Sequence, residues 1–266
     1  ESMQANTTGA NNAALGYRTL YSNTSGTRNL AILHNTLTNN TTGDDNAAIG
    51  QGALFENTTG SENVALGNHA LDANTTADAN TGVGYNALTG NTTGSKNVAV
   101  GHAALYNNTT GGSNTAIGRA ALNVNTTASD NTAVGKFALV SNTTGNKNVS
   151  VGSQAAHENT TGNDNTVIGQ AALYANTTGS NNTALGRAAS NSNTTANNNT
   201  AVGYFALNQN ETSNYNVAVG SEALLNNTGN GANVAVGVNT LKANTTGQSN
   251  VAVGYAALDA NTTGHN

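Results

Sequence analysis

The chain has 266 residues, a formal net charge of -5, 8% charged and 4% aromatic residues, and no Pro, Cys or Trp. That balance excludes a basic nucleic-acid-binding tract and a polybasic membrane anchor, no apolar run approaches the roughly 18 residues of a transmembrane helix, and without Cys there is no disulfide framework and no indication of redox compartment. Low hydrophobicity with abundant Asn, Thr and Gly is also a composition of disordered chains, but those are rich in Pro and charge, and nothing holds them to a constant repeat length.

The repeat length here is constant. One Asn recurs every seventeen residues from Asn12 to Asn250, and a second series runs from Asn6 to Asn261, with no insertion or deletion. The consensus is N-x-A-V-G-x-x-A-L-x-x-N-T-T-G-x-x. Self-similarity at a fixed period marks one stacked architecture. Residues 1–266 therefore read as a single repetitive β-solenoid of about fifteen and a half repeats, although this length would allow two domains. No signal peptide opens the sequence, and neither the start at Glu1 nor the stop at Asn266 shows a cap. Solenoids need capped ends, so the expectation is a segment of a longer protein or copies stacking end to end into a filament.

Seventeen residues are too few for a helical repeat, which needs about 33. In chain order, the repeat opens with N-V/T-A-V/I/L-G, a short β-branched run bounded by turn formers, which predicts a strand. Its fourth position is always aliphatic (Leu15, Ile32, Ile49, Leu66, Val83, Val100 and onward) and is expected inside the coil. The third is small, Ala in most repeats but Gly82, Ser150 and Val167 in three, and is expected on the opposite face, close to a neighbouring backbone. Gly at the fifth supplies a conformation closed to most residues; Leu33 breaks that column, so the second coil is expected to be irregular.

A polar dipeptide follows, then Ala or Thr at the eighth position and Leu at the ninth (Leu105, Leu122, Leu139), joining the interior, with Ala156 and Ser190 as exceptions. Further variable dipeptides occupy positions ten–eleven and sixteen–seventeen. They carry nearly all the charges, among them Arg119, Lys136, Arg187, Asp72, Glu158, Lys242, Asp45, Lys96 and Asp164, and read as solvated corners. Three corners suit a three-sided coil; a flatter two-sided roll fits as well. The fold class is thus all-β, a parallel β-roll or β-helix of 17-residue coils. At about 4.8 Å per rung the rise implies a rod on the order of 75 Å, and one inserted residue would misregister every strand after it.

Between the last two corners lies N-T-T-G. Its asparagines, Asn6, Asn23, Asn40, Asn57, Asn74, Asn91, Asn108, Asn125, Asn142, Asn159, Asn176, Asn193, Asn210, Asn244 and Asn261, each sit in an N-x-S/T sequon; at Asn227 the pattern fails, and Asn226 restores it one place earlier. Two readings stand. They are N-glycosylation acceptors, or they stack into an amide ladder of the kind seen in cross-β assemblies. Glycans on every rung would be about 4.8 Å apart, too close for sugar trees, and the ladder accounts for the unbroken column.

No constellation of unlike residues at unique positions suggests an enzyme, and no cofactor or metal site is expected. The five His (His34, His69, His102, His157, His265) form no column, Asp44 and Asp45 lack metal-ligand spacing, and TGNDN at 161–165 lacks the Gly-Gly-x-Gly-x-Asp succession of calcium-binding repeats. An ice-binding face would use regular Thr columns, but the two Thr of N-T-T alternate in direction, so only one can face outward.

At N-V-A-V-G-x-x-A-L, as in Asn97-Val98-Ala99-Val100-Gly101, the chain resembles the head repeats of YadA-like trimeric autotransporter adhesins and similar viral tail-fibre repeats along its whole length. The resemblance implies parallel β-rolls in a homotrimer at the cell surface or on a virion fibre. The family's repeats are shorter, so the N-T-T-G arm looks like an extension of the coil, and neither stalk nor membrane anchor is present. Small third-position residues also favour a homo-oligomer, most naturally a trimer. The expected function is the structural shaft of an extracellular fibre or filament; the alternative is an adhesin head binding a host surface, glycan or ice through one face. The expected partners are further copies of the chain and such a surface or glycan ligand, with neither nucleic acid nor a membrane segment.

Overall fold

The computed structural model describes residues 1–229 and 231–265. Among them there is no helix, and each repeat contributes one three-residue strand, its second to fourth positions, followed by a run of turns and bends. The chain divides into two compact units, Glu1–Asn131 and Thr132–Asn266. The first holds β1 (Ala13–Leu15), β2 (Leu30–Ile32), β3 (Ala47–Ile49), β4 (Val64–Leu66), β5 (Thr81–Val83), β6 (Val98–Val100) and β7 (Thr115–Ile117). The second holds β8 (Thr132–Val134), β9 (Val149–Val151), β10 (Thr166–Ile168), β11 (Thr183–Leu185), β12 (Thr200–Val202), β13 (Val217–Val219), β14 (Val234–Val236) and β15 (Val251–Val253). Within each unit every strand pairs in parallel with the next, and each residue meets its equivalent seventeen places on, as Leu30 meets Ala47 and Thr200 meets Val217. Each unit is a parallel β-solenoid of 17-residue turns.

The face assignment along the strand is the reverse of the sequence expectation. The small third position lies in the core: Ala31, Ala65, Ala99, Ala133, Val167 and Ala201 are fully buried. The aliphatic fourth position points out of the coil, with Leu66 43%, Ile117 41% and Ile168 46% exposed. The reason is space. The interior of a turn already holds a fully buried Leu at the ninth position, Ala or Thr at the eighth, and two Asn side chains. A strand that close to the opposite wall turns a small side chain inward, Ala in most turns and Val at 167, so period-two alternation puts the larger fourth-position Val, Ile and Leu outside. The third-position column is therefore not an intermolecular face.

Leu at the ninth position is the largest interior side chain, and its backbone is left-handed in every turn, with Leu105 at φ 50. That conformation costs about 1–2 kcal/mol for an L-residue, while full burial of Leu contributes about 1.5–3 kcal/mol, so burial offsets the strain. Left-handed residues also occur at the seventh and seventeenth positions, as at Ala103 and Ser113, so two of the three expected corners coincide with a reversal of the backbone. The third reversal falls on Leu itself rather than on the tenth–eleventh dipeptide.

At the fifth position Gly67 has φ 134, and a Cβ there would lie 2.6 Å from the carbonyl oxygen of Gly84 in the next turn, so only Gly lets the turns stack at strand spacing. Leu33, the exception, adopts φ 89 and is half exposed. The irregularity expected there stays local: its N–H still donates to the Leu15 carbonyl, and β2 pairs normally with β1 and β3.

Gly82 is the one glycine in the third-position column. A Cβ there would contact the Leu71 Cγ at 3.4 Å and the Ala87 carbonyl oxygen at 3.3 Å, in a column that elsewhere accepts Ala, Ser and Val. Gly82→Ala is expected to stabilise the first unit by about 0.5–1 kcal/mol, chiefly through lost unfolded-state entropy. A lower urea midpoint for the variant would show that the Ala87 carbonyl cannot give way.

Candidate functional site

The sequon asparagines lie inside the coil. From Asn23 to Asn244 they are buried, and Asn6 and Asn261, in the outermost turns, are half-buried. In most turns Nδ2 does two things. It donates to Oδ1 of the Asn one turn earlier, at 2.9 Å from Asn40 to Asn23, 2.7 Å from Asn108 to Asn91 and 2.7 Å from Asn176 to Asn159. It also donates to the carbonyl three residues on, as Asn57 to Gly60 at 2.9 Å. Asn227, outside the sequon pattern, keeps its rung to Asn210 at 3.1 Å. The nitrogen that would carry a glycan is thus the nitrogen that makes both bonds, and the folded turn withholds it. Asn226, whose sequon replaces that of Asn227, is half-buried.

The first-position asparagines make a second ladder. Asn46 Nδ2 donates to Gly60 O at 2.8 Å, so that one carbonyl is held by two amides. Asn29 Oδ1 accepts both the backbone N–H and the Nδ2 of Asn46 at 3.0 and 3.1 Å. These bonds serve turns that cannot continue the strand ladder, and every buried backbone donor needs an acceptor. Beside them Thr41 O accepts from the backbone N–H groups of Thr24, Ser25 and Gly26 (2.9, 3.2 and 3.3 Å) and from Thr24 Oγ1 (3.0 Å). The first Thr of N-T-T therefore spends its hydroxyl inside the stack. The second, as at Thr42, Thr59 and Thr93, is exposed.

A third ladder was not apparent from the sequence, where the sixteenth position read as a solvated corner. Its backbone N–H is accepted by the side chain of the same position one turn later: Thr27 N by Asp44 Oδ1 (2.6 Å), Ser61 N by Asp78 Oδ1 (2.7 Å), Asn163 N by Ser180 Oγ (3.0 Å), Ser180 N by Asn197 Oδ1 (2.8 Å). The available signal is the restriction of that position mostly to Ser, Asp and Asn, short side chains with an oxygen at the right reach.

The outer faces divide by chemistry. Positions two and four of the strands form two outward columns that carry Val, Ile, Leu, Thr or Ala in every repeat and never a charge. In the first unit they run from Ala13 and Leu15 to Thr115 and Ile117, in the second from Thr132 and Val134 to Val251 and Val253. Aromatic side chains gather instead at positions six, seven and ten, where Tyr17 stacks on His34 and Tyr85 on His102 (centroids 5.5 Å apart in each), and His157 on Tyr174 at 4.8 Å. Arg28 and Asp45, one turn apart, form an exposed bidentate pair at 2.6 and 2.7 Å. The hydrogen bond from Arg28 holds the Asp45 carboxyl below its ordinary range, so the pair's contribution is present above the unfolded carboxylate pKa and fades as pH falls through the depressed value.

The five His remain scattered: His69 pairs with Asp72 at 2.9 Å and His157 with Glu158 at 2.7 Å. Among the described residues no group of three or more His, Cys, Asp or Glu is placed to hold a metal ion, and no helix is long and apolar enough to cross a membrane. Compared with known proteins, the chain matches no family model, no curated protein and no solved structure.

Proposed function

We propose that this chain is a structural shaft element of an extracellular fibre, in which further copies cover the outward strand face. The observation that carries the reading is the uncharged second- and fourth-position strip. Three residues of strand by seven rungs give an area on the order of 300 Å² in the first unit alone, the size of the largest apolar patch on a typical monomer, which is often functional. A partner that is itself a parallel solenoid of the same 17-residue turn meets this strip rung for rung, so a second copy is the occupant with matching spacing. Closure of three copies around the strip satisfies every copy equally and agrees with the resemblance to trimeric surface adhesins. The internal ladders supply stiffness along the fibre axis, and the aromatic and charged positions stay outside. The role is mechanical and without catalysis, at the cell surface or on a virion, with copies also able to stack end to end.

A second reading rests on the same strip. Where Thr occupies the second position, as at Thr166, Thr183 and Thr200 on three successive rungs, a column of hydroxyls runs beside the aliphatic fourth-position column, a surface suited to an adhesive or ice-binding face. One double variant separates the two. Leu66→Lys/Ile168→Lys places charges outside the coil and is expected to keep the circular dichroism of the wild type. Light scattering is expected to show wild-type trimers and monomeric variant. A monomeric wild type that produces thermal hysteresis, lost in the variant, would replace the fibre reading with the ice-binding one.

A further inference from the structure

The N-T-T-G arms of successive turns are joined by backbone bonds. Thr194 N and Thr195 N donate to Glu211 O at 2.9 and 3.3 Å, and Thr228 N and Gly229 N donate to Thr245 O at 3.0 and 2.8 Å. Between these two joints the stack is broken. Among the described residues the N–H groups of Glu211 and Thr212 have no acceptor, and the Thr228 carbonyl has no donor. The side-chain ladders weaken at the same place. The amide rung from Asn210 to Asn193 is 3.5 Å, against 2.7 Å from Asn193 to Asn176. The sixteenth-position ladder reaches Asn214 Oδ1 from Asn197 N at 2.6 Å and stops there, because Gly231 has no side chain. A cavity of about 410 Å³ opens beside the parted arms, and its lining includes Thr212, Ser213, Gly229, Gly231 and Gln248. The sequence supplies the reason. Residues 227–231 read N-T-G-N-G where the consensus is N-T-T-G-x, and a position that is Gly, Ala or Ser in every other turn carries Asn230, which itself lies outside the described residues.

We propose that the arm from Asn210 to Ser213 is a site of proteolytic nicking, where a glutamate-specific endoprotease hydrolyses the Glu211–Thr212 bond and leaves the two pieces assembled. Water adds across that peptide bond, giving a new carboxylate on Glu211 and a new amine on Thr212. Both residues are exposed, and their arm is bonded through the backbone to the preceding turn alone, an edge within the solenoid. Cleavage of a folded chain follows the population of the locally opened segment, and a segment with unpaired backbone groups opens most easily. The other internal glutamates lack this opening: the N–H groups of Glu56, Glu62, Glu158 and Glu222 donate to Asp72 O, Asp44 O, Tyr174 O and Tyr204 O in adjoining turns, at 2.8 to 3.0 Å. The pieces stay together because the rest of the turn crosses the break intact. Thr200 in β12 pairs with Val217 in β13, Leu207 N donates to Ala223 O at 2.9 Å, and Leu207 and Leu224 are fully buried. The inference does not depend on the fibre reading, because the arm is not part of the apolar strip.

The test is digestion of the native full chain with a glutamyl endopeptidase, each cut timed by mass spectrometry and its rate divided by that at the same bond in the urea-unfolded chain. The expected first cut follows Glu211, at least tenfold faster than those after Glu56, Glu62, Glu158 and Glu222, with fragments 1–211 and 212–266 co-eluting in gel filtration until urea is added. The triple variant Gly229→Thr/Asn230→Gly/Gly231→Ser restores the consensus arm and is expected to slow that cut tenfold or more. The comparison among glutamates in the wild type stands by itself if the variant does not fold. A first cut after another glutamate, a native chain that resists cleavage, fragments that separate without denaturant, or an unchanged rate in the folded variant would overturn the proposal.

Discussion

Asn176→Asp is expected to destabilise the second unit by on the order of 3 kcal/mol at neutral pH. Asn176 Nδ2 donates to Asn159 Oδ1 at 2.7 Å and to Gly179 O at 2.9 Å, while its Oδ1 accepts from Asn193 Nδ2 at 2.7 Å. Aspartate keeps the acceptor and loses the donor. A carboxylate oxygen would then face two other oxygens in a fully buried column, with no cation nearby. Burial raises the folded-state pKa of such a carboxyl above its unfolded value, so the folded form binds the extra proton and the cost shrinks as pH falls through that raised value. Urea unfolding at pH 7 and pH 4 checks this, with amide exchange at Thr177 and Asn193 locating the loss, since solenoid stability is built from local and nearest-neighbour terms. A cost below about 1 kcal/mol, or one independent of pH, would mean that the amide is hydrated and that the ladder does not hold the turns together.

The ninth-position column offers a paired experiment. Leu105 is fully buried between Leu88 and Leu122, and Leu105→Ala is expected to cost about 2–5 kcal/mol, because a narrow turn bounded by its neighbours' backbones cannot collapse around the void. Ser190 occupies the same place between Leu173 and Leu207, buried, with a hydroxyl that has no partner. Its φ of 50 matches φ 48 at Leu173 and φ 51 at Leu207, so the backbone is already that of a leucine turn. Ser190→Leu is expected to stabilise by about 2 kcal/mol, from burying the side chain and removing the unpaired hydroxyl. The check is the shift in urea midpoint for each. A destabilised Ser190→Leu would show that the turn has contracted around the smaller residue.

The repeat made much of this fold legible. A period without slippage, Gly at the fifth position and a β-branched triplet before it are enough to place a strand in each repeat and to pair it in register with the next. Leu105, Leu122 and Leu139 were identified as interior from the same pattern. The inward side of the strand was not. Alternation says that Ala99 and Val100 face opposite ways but not which way, and hydrophobicity alone favours Val inside.

What the sequence by itself determined is the architecture: the length of the turn, the existence and register of the strands, and the stacking of like on like, all of which follow from periodicity. What only the tertiary structure decided is which atoms share the interior. The two Asn ladders and Leu fill a turn so narrow that the strand contributes mostly Ala. That volume constraint, a property of the closed coil and not of any local run of residues, turns the fourth-position aliphatic column outward, and it makes the surface rather than the core the place where that column acts.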